Sequence, residues 1–179
     1  MEELVKKAKK GNEEAFSKLI ISEKEGLFKI AVSRMETIED AEDVIQETII
    51  EAYIKIRKIK KHEAFRGWIR TILINKINKF YERKEKKDIK IKTKLMENYK
   101  KDNNNIIKTE EDIDFKILLN KLEDVEKTIV LLFYNDGYKV KEISQMLNMN
   151  ENTVKTKLSR ARKKIEGLKE GGGRIGSIR

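Results

Sequence analysis

Asn152, Lys155, Thr156, Ser159 and Arg160 carry the amide, hydroxyl and cationic groups that hydrogen-bond base edges and phosphates. Their three- and four-residue intervals place them along one side of a helix. Val154, Leu158, Ala161, Ile165 and Leu168 recur at 4-3-4-3 and form the opposite, apolar side. Asn150 is a good N-cap for that helix. Asn148 tolerates a left-handed backbone and can end a preceding helix, whose Val140, Ile143, Met146 and Leu147 share one face. Two short helices around Asn148-Met149-Asn150 make a helix-turn-helix, whose second helix enters the DNA major groove. A small helical bundle with a solvated basic face gives the same local pattern, so the rest of the chain must decide between them.

A second set lies on the run DAEDVIQETIIEAYIKI. Thr37 caps it, with Asp40 three residues on as a variant capping box. Ile45, Ile49, Ala52, Ile56 and Ile59 are its predicted buried stripe. Asp43, Gln46, Glu47 and Ile50 fall opposite them, a small acidic and amide face in a chain of net charge +10. It is either a solvated helix face or a docking face for a basic protein. A third set follows in AFRGWIRTILINKINKFYERKEKK. Phe65, Ile69, Ile72, Leu73 and Phe80 form the expected core side; Trp68, Thr71, Asn75 and Asn78 line another stripe, able to stack on bases and bond their edges. Trp68 borders both stripes and fits a core anchor as well as a stacking platform. From Lys76 to Lys101, eleven Lys and Arg, Lys79 among them, stand against four Asp and Glu, which favours a polyanionic partner there.

Enzymatic chemistry finds little support. Asp40, Glu42, Asp43 and Glu47 are carboxylates without a nearby His or Cys. The only histidine, His62, lies in a predicted loop, KKHE, at 60–63 and reads as a surface residue. No cysteine is present for a disulfide or a thiolate site. No metal or cofactor is therefore expected. A basic membrane-surface protein is the rival to a nucleic-acid binder. No apolar run reaches the roughly 20 residues needed to span a bilayer. The opening MEELVKKAKKGNEEAF reads as an amphipathic helix and not a signal peptide, so a cytoplasmic location without membrane insertion is expected.

With no proline and little glycine before the tail, the expected fold class is all-α: two small helical domains joined by a flexible linker, the second containing the helix-turn-helix. Residues 2–9 should form a helix that ends at Gly11. Asn12 then caps a helix burying Ala15, Phe16, Leu19 and Ile20, and a further segment supplies Leu27, Phe28, Ile30, Ala31 and Met35 to the core. Periodicity fades from about Asp88 to Asp112, and KKDNNN at 100–105 marks the domain boundary. The second domain opens with Phe115, Leu118, Leu119 and Leu122. Val125, Ile129, Leu132 and Phe133 are its next buried set, and Asn135-Asp136-Gly137 turns the chain toward the helix-turn-helix. The tail, Gly171 to Arg179, holds four glycines and is expected to be disordered.

Two separated blocks carry a family likeness. AEDVIQETIIEAY followed by FRGWIRTILINKINKFYERK resembles region two of bacterial sigma factors. LEDVEKTIVLLFYNDGYKVKEISQMLNMNENTVKTKLSRARKKI resembles their region four. With only these two domains and a linker of about this length, the chain resembles a sigma factor of the extracytoplasmic-function type over most of residues 1–168. The resemblance implies region two at 1–87, a linker at 88–112, region four at 113–168 and a tail at 169–179. It implies that Asp43, Gln46 and Glu47 dock on the clamp helices of core RNA polymerase. Trp68, Thr71, Asn75 and Lys79 then face the minus-ten promoter element, and the loop from Ile59 to Glu63 receives a flipped base. Asn152, Lys155, Thr156, Ser159 and Arg160 face the minus-thirty-five element, with Lys157, Arg162 and Lys163 on the DNA backbone. The linker resembles the segment that threads toward the RNA exit path. The partners implied are core polymerase, promoter DNA and an anti-sigma factor; polymerase supplies the chemistry, and the chain itself is not an enzyme.

Four positions depart from the family pattern. Lys139 replaces a Ser or Thr cap, which costs about 1 kcal/mol in a typical helix. Asn148 replaces a turn glycine, Glu123 a proline, and Ile59 an aromatic at the start of the loop. Two rival readings are a helix-turn-helix regulator that needs no polymerase and a helical protein-interaction module. The acidic face and the Trp68–Asn75 stripe speak against the first.

Overall fold

The computed structural model of the chain describes residues 1–61, 64–92, 119 and 121–170, and every regular element among them is helical. The chain divides into two compact units, Met1–Asn103 and Asn104–Arg179. His62, Glu63, the cations beyond Lys92, KKDNNN, Phe115, Leu118 and the glycine-rich tail lie outside the described residues. No described helix is long and apolar enough to cross a membrane.

The first unit holds α1 (Glu2–Lys9), α2 (Glu13–Arg34), α3 (Ile38–Lys55) and α4 (Phe65–Lys92). Glu2 and Glu3 open α1 and lysines close it, complementing the helix dipole. Gly11, at φ +93, makes the turn into α2. The Asn12 side chain then accepts the Ala15 N–H at 2.7 Å, as a capping residue should. The predicted break after Ile20 is absent: Ala15, Phe16, Leu19, Leu27, Ile30 and Ala31 are buried along one 22-residue helix. Gly26 does not interrupt it, because one glycine costs a helix only about 1 kcal/mol against Ala, less than the burial on either side contributes.

Thr37 caps α3 by accepting the Asp40 N–H at 3.0 Å. The buried stripe of α3 differs from the expected one: Ala41, Val44, Thr48 and Ala52 face inward, and Ile45 and Ile49 are half-buried. In its first turns the stripe moves back by one residue, from Ile45 and Ile49 to Val44 and Thr48, while Ala52 stays in it. Because α3 packs against both α2 and α4, small residues occupy its centre line and the larger isoleucines flank it. Thr48 fits that line because its hydroxyl donates to the Val44 carbonyl at 2.6 Å. Ile56 and Ile59 are buried as expected, in and just after a 3₁₀ turn at Ile56–Lys58.

Phe65, Ile69, Ile72 and Leu73 form the core side of α4, joined by Ile74 and Ile77; Phe80 is half-buried instead of buried. Arg70 is also inside, 1% exposed, with an Nη 2.6 Å from Oε2 of Glu23 on α2. Arg66 Nε stands 3.6 Å from the same oxygen. Farther along, Tyr81 donates to the Arg34 carbonyl, and Lys84 Nζ meets Glu36 at 2.7 Å.

The second unit holds α5 (Asp124–Val130), α6 (Val140–Leu147) and α7 (Glu151–Glu170). A π turn at Leu131–Asn135 continues α5, and the Asp136 N–H closes on the Leu131 carbonyl at 3.0 Å. Leu119, Leu122, Ile129, Val130, Leu131, Leu132, Ile143, Val154, Leu158 and Ala161 make its core. Val125 and Phe133 are half-buried. Thr128, Ile129, Val130, Leu131 and Leu132 are all buried, so the helix is enclosed nearly all round where the π turn begins. Ile20 and Phe28 in the first unit are likewise half-buried.

Breaking the Glu23–Arg70 pair from one side leaves a buried charge without its main partner. Arg70→Met should destabilise the first unit by ~3 kcal/mol or more, and adding Glu23→Leu should recover most of the loss. Urea unfolding followed by the fluorescence of Trp68, the only tryptophan, measures both. A loss below about 1 kcal/mol, the range of an exposed pair, would contradict the role given to this pair.

Candidate nucleic-acid interface

The second helix of the helix-turn-helix is set up locally. Asn148 adopts φ 50 and ψ 47, the left-handed turn without a glycine. Asn150 Oδ1 accepts the Asn152 N–H at 2.8 Å and starts α7. Lys139 cannot accept a hydrogen bond through its ammonium, but its own N–H donates to Glu142 Oε2 at 2.8 Å. Half of a capping box therefore survives the loss of a hydroxyl cap.

Val154, Leu158 and Ala161 point into the core, which leaves Asn152, Lys155, Thr156, Ser159, Arg160, Arg162 and Lys163 exposed on α7. Lys155, Arg160 and Lys163 make no ion pair among the described residues. The Thr156 hydroxyl donates to the Asn152 carbonyl at 2.9 Å and keeps its acceptor side open. Two predicted backbone contacts lean on their own unit. Half-buried Lys157 holds its Nζ 3.4 Å from Glu123. Arg162 Nε donates to the Tyr134 hydroxyl at 2.5 Å, and its guanidinium lies 5.6 Å from the ring centres of both Phe133 and Tyr134.

A further brace was not apparent in the sequence. Glu126 is 1% exposed and accepts from Lys164 Nζ at 2.7 Å and from the Glu123 N–H at 3.1 Å. Glu123 stands where a proline is usual, and a proline could not make that donation. Burial pushes the Glu126 carboxyl up, but Lys164 and the Glu123 N–H outweigh it and hold it below the usual carboxylate range.

In the first unit, Asp43, Gln46 and Glu47 are exposed on α3 beside Ile50. Asp43 makes no ion pair among the described residues. Glu47 is tied back to α4, with Oε2 3.1 Å from Lys76 and Oε1 3.9 Å from Arg83. Lys76 also meets Glu51 at 3.0 Å. Lys55 and then Lys76 hold the Glu51 carboxyl low, and Glu51, against burial, raises Lys76. Part of the basic charge predicted to face nucleic acid is thus spent on the α3–α4 seam.

Along α4, Asn75, Asn78 and Lys79 are exposed, while Trp68 and Thr71 are half-buried. The half-buried Trp68 ring lies 5.9 Å from the fully buried Phe65 ring, tilted at 44°. Thr71 donates to the Gly67 carbonyl at 2.9 Å. The two readings of Trp68 are therefore compatible at one position. The described residues bring no three His, Cys, Asp or Glu together as a metal site.

Glu126 gives a pH signature. Its folded carboxyl titrates below the unfolded value of about 4.3, so its contribution is present above that pH and is lost as pH falls through the folded value. The protection factors of the α5–α7 amides, with the intrinsic exchange rate divided out, should therefore fall on acidification below about pH 4.3. Lys164→Met should flatten that dependence; an unchanged profile would remove Lys164 as the cause.

Residues 19–87 match the family model of sigma-70 region 2, and residues 117–165 match that of sigma-70 region 4. The chain is 31% identical over 144 residues to the RNA polymerase sigma factor SigV of Bacillus subtilis, covering 80% of this chain and 84% of that protein. It is 25% identical over 174 residues to the ECF sigma factor SigW of the same species, covering 90% and 92%. Two solved structures share its fold at 22% identity. One is CnrH in complex with the cytosolic domain of CnrY, with a TM-score of 0.68 and coverage of 96% of this chain and 98% of that one. The other is RpoE of Bartonella quintana with the anti-sigma factor NepR, with a TM-score of 0.66 and coverage of 87% and 96%.

Proposed function

The chain belongs to the sigma-70 family, as a sigma factor of the extracytoplasmic-function type, and from that premise we propose how its residues share the work of starting transcription. It binds core RNA polymerase and directs it to promoters. The observation that carries the residue-level reading is an acidic α3 face in a chain of net charge +10, one helix away from the polar stripe of α4. Asp43, Gln46 and Glu47 dock on a basic polymerase surface. Trp68, Thr71, Asn75 and Lys79 face the minus-ten element, and the loop from Ile59 takes up a base extracted from the duplex. Extraction costs a few kcal/mol; stacking and polar contacts offset that, so the strands open without ATP. Asn152, Lys155, Thr156, Ser159 and Arg160 read the minus-thirty-five element. Lys163 contacts the backbone, as do Lys157 and Arg162 once DNA competes with Glu123 and Tyr134 for them.

Region two at 1–87 and region four at 113–168 would then act at separate promoter blocks, joined by the linker at 88–112. The factor itself is not an enzyme; polymerase makes the phosphodiester bonds. It works in the cytoplasm, where polymerase is, and an anti-sigma factor silences it by covering these same faces. One fold relative, RpoE of Bartonella quintana, is solved in complex with the anti-sigma factor NepR.

Asp43→Ala with Gln46→Ala should weaken binding to core polymerase at least tenfold, about 1.4 kcal/mol, without unfolding the chain. Lys155→Glu with Arg160→Glu should leave core binding intact and abolish protection of the minus-thirty-five block in footprints. A chain that binds its DNA equally well without polymerase, and is indifferent to the first pair, would instead be a free-standing regulator.

A further inference from the structure

α1 precedes the residues matched to region 2, which begin at 19, and no role has so far been given to it. It packs on α2 and on the 3₁₀ turn at Ile56–Lys58, rooted by Val5 and Ala8, which are 0% and 4% exposed. From its last turn, Lys9 Nζ donates to the carbonyl of Ile59 at 2.7 Å, a bond between residues 50 apart in sequence. That carbonyl lies just past the end of a 3₁₀ turn, where the backbone needs a partner from elsewhere. An ammonium is a strong one.

Ile59 is also the first residue of the loop assigned above to base capture. Its side chain is 5% exposed and its N–H donates to the Ile56 carbonyl at 3.2 Å. At the other end, the Ala64 N–H donates to the Lys61 carbonyl at 3.1 Å, and Phe65 is fully buried. Lys60 and Lys61 are exposed between these anchors. The chain entering the loop is thus held from inside by the Ile59 side chain and from outside by Lys9 alone among the described side chains.

We propose that α1 is the strut of the strand-opening loop and that Lys9 is a positioning residue for promoter melting, acting through the Ile59 carbonyl. The proposal rests on the base-capturing role of that loop. A pocket that accepts an extracted base must be held in shape before the base arrives, because any ordering left until then subtracts from the stabilisation that offsets extraction. Losing the strut should therefore slow opening and leave the preceding closed complex unchanged.

The test uses holoenzyme rebuilt from core polymerase and full-length variants, on a promoter recovered by run-off transcription. That promoter carries 2-aminopurine in its minus-ten block, and a second copy has the block held open by mismatches. Lys9→Met keeps the side-chain stem against α1's neighbours. It should slow the fluorescence rise on opening about tenfold, equivalent to ~1.4 kcal/mol. Lys9→Arg should restore the rate, closed-complex binding should not change, and transcription from the mismatched copy should equal wild type. That last readout also shows that the variant is folded. Slowed transcription from the mismatched copy as well would make Lys9 a general structural or phosphate contact and overturn the proposal. A control chain has serine at 60–63. If that chain opens promoters slowly but Lys9→Met does not, the loop reading stands and the strut is wrong. If neither opens slowly, the loop reading itself has failed and the proposal falls with it.

Discussion

Glu23 and Arg70 meet at 2.6 Å in the middle of the first unit, and both are almost wholly out of water. Removing two charges from water costs several kcal/mol each, and their attraction repays this only in good geometry. The pair therefore adds little net stability, but it is hard to satisfy in any other arrangement. Arg70 sits on the same turns of α4 as Trp68 and Thr71, and Glu23 is midway along α2. With Arg70 committed inward, the rotation of α4 about its axis is fixed. Asn75, Asn78 and Lys79 then face outward, one turn and more away, without needing contacts of their own.

Electrostatics divide the surface into spent and available charge. Lys76, Arg83 and Lys84 lie in the basic stretch but are paired with Glu47, Glu51 and Glu36. Exposed pairs of this kind contribute about 0–1 kcal/mol each, so a stronger partner can take either side. Lys155, Arg160 and Lys163 on α7 have no such commitments among the described residues. The opposite pattern holds at Lys157, Arg162 and Lys164, which turn back onto α5 and its π turn. Lys157 and Lys164 thus brace α7 on one flank of its apolar face and Arg162 on the other, and the side opposite that face is left for DNA.

Much of this was legible in the sequence. The caps at Asn12, Thr37 and Asn150 follow from single side chains, and the left-handed turn at Asn148 from residue type. The exposed polar faces of α3, α4 and α7 follow from helical period, and the family from two distinctive blocks. Burial was read less well wherever packing overrides hydrophobicity. On α3 a close approach between two neighbours selects Ala41, Thr48 and Ala52 over larger isoleucines. On α5 the five consecutive residues Thr128 to Leu132 are all buried, so no single inward stripe describes it. Charged residues inside the core were not foreseen, because Glu23, Arg70 and Glu126 are ordinary helix-surface types until a partner 38 or 47 residues away is known. The same holds for Lys9, whose partner is a backbone carbonyl that no side-chain pattern reveals.

The most direct measurement is run-off transcription with purified core polymerase, with and without this protein, on a pool of genomic promoter fragments. Discrete transcripts that appear only with the protein and share two spaced sequence blocks are the predicted result. Protein that binds core polymerase yet starts no transcript would contradict the initiating roles assigned to α4 and α7. Protein that does not bind core at all would contradict the docking role of Asp43, Gln46 and Glu47, and with it the way the faces are held to work together.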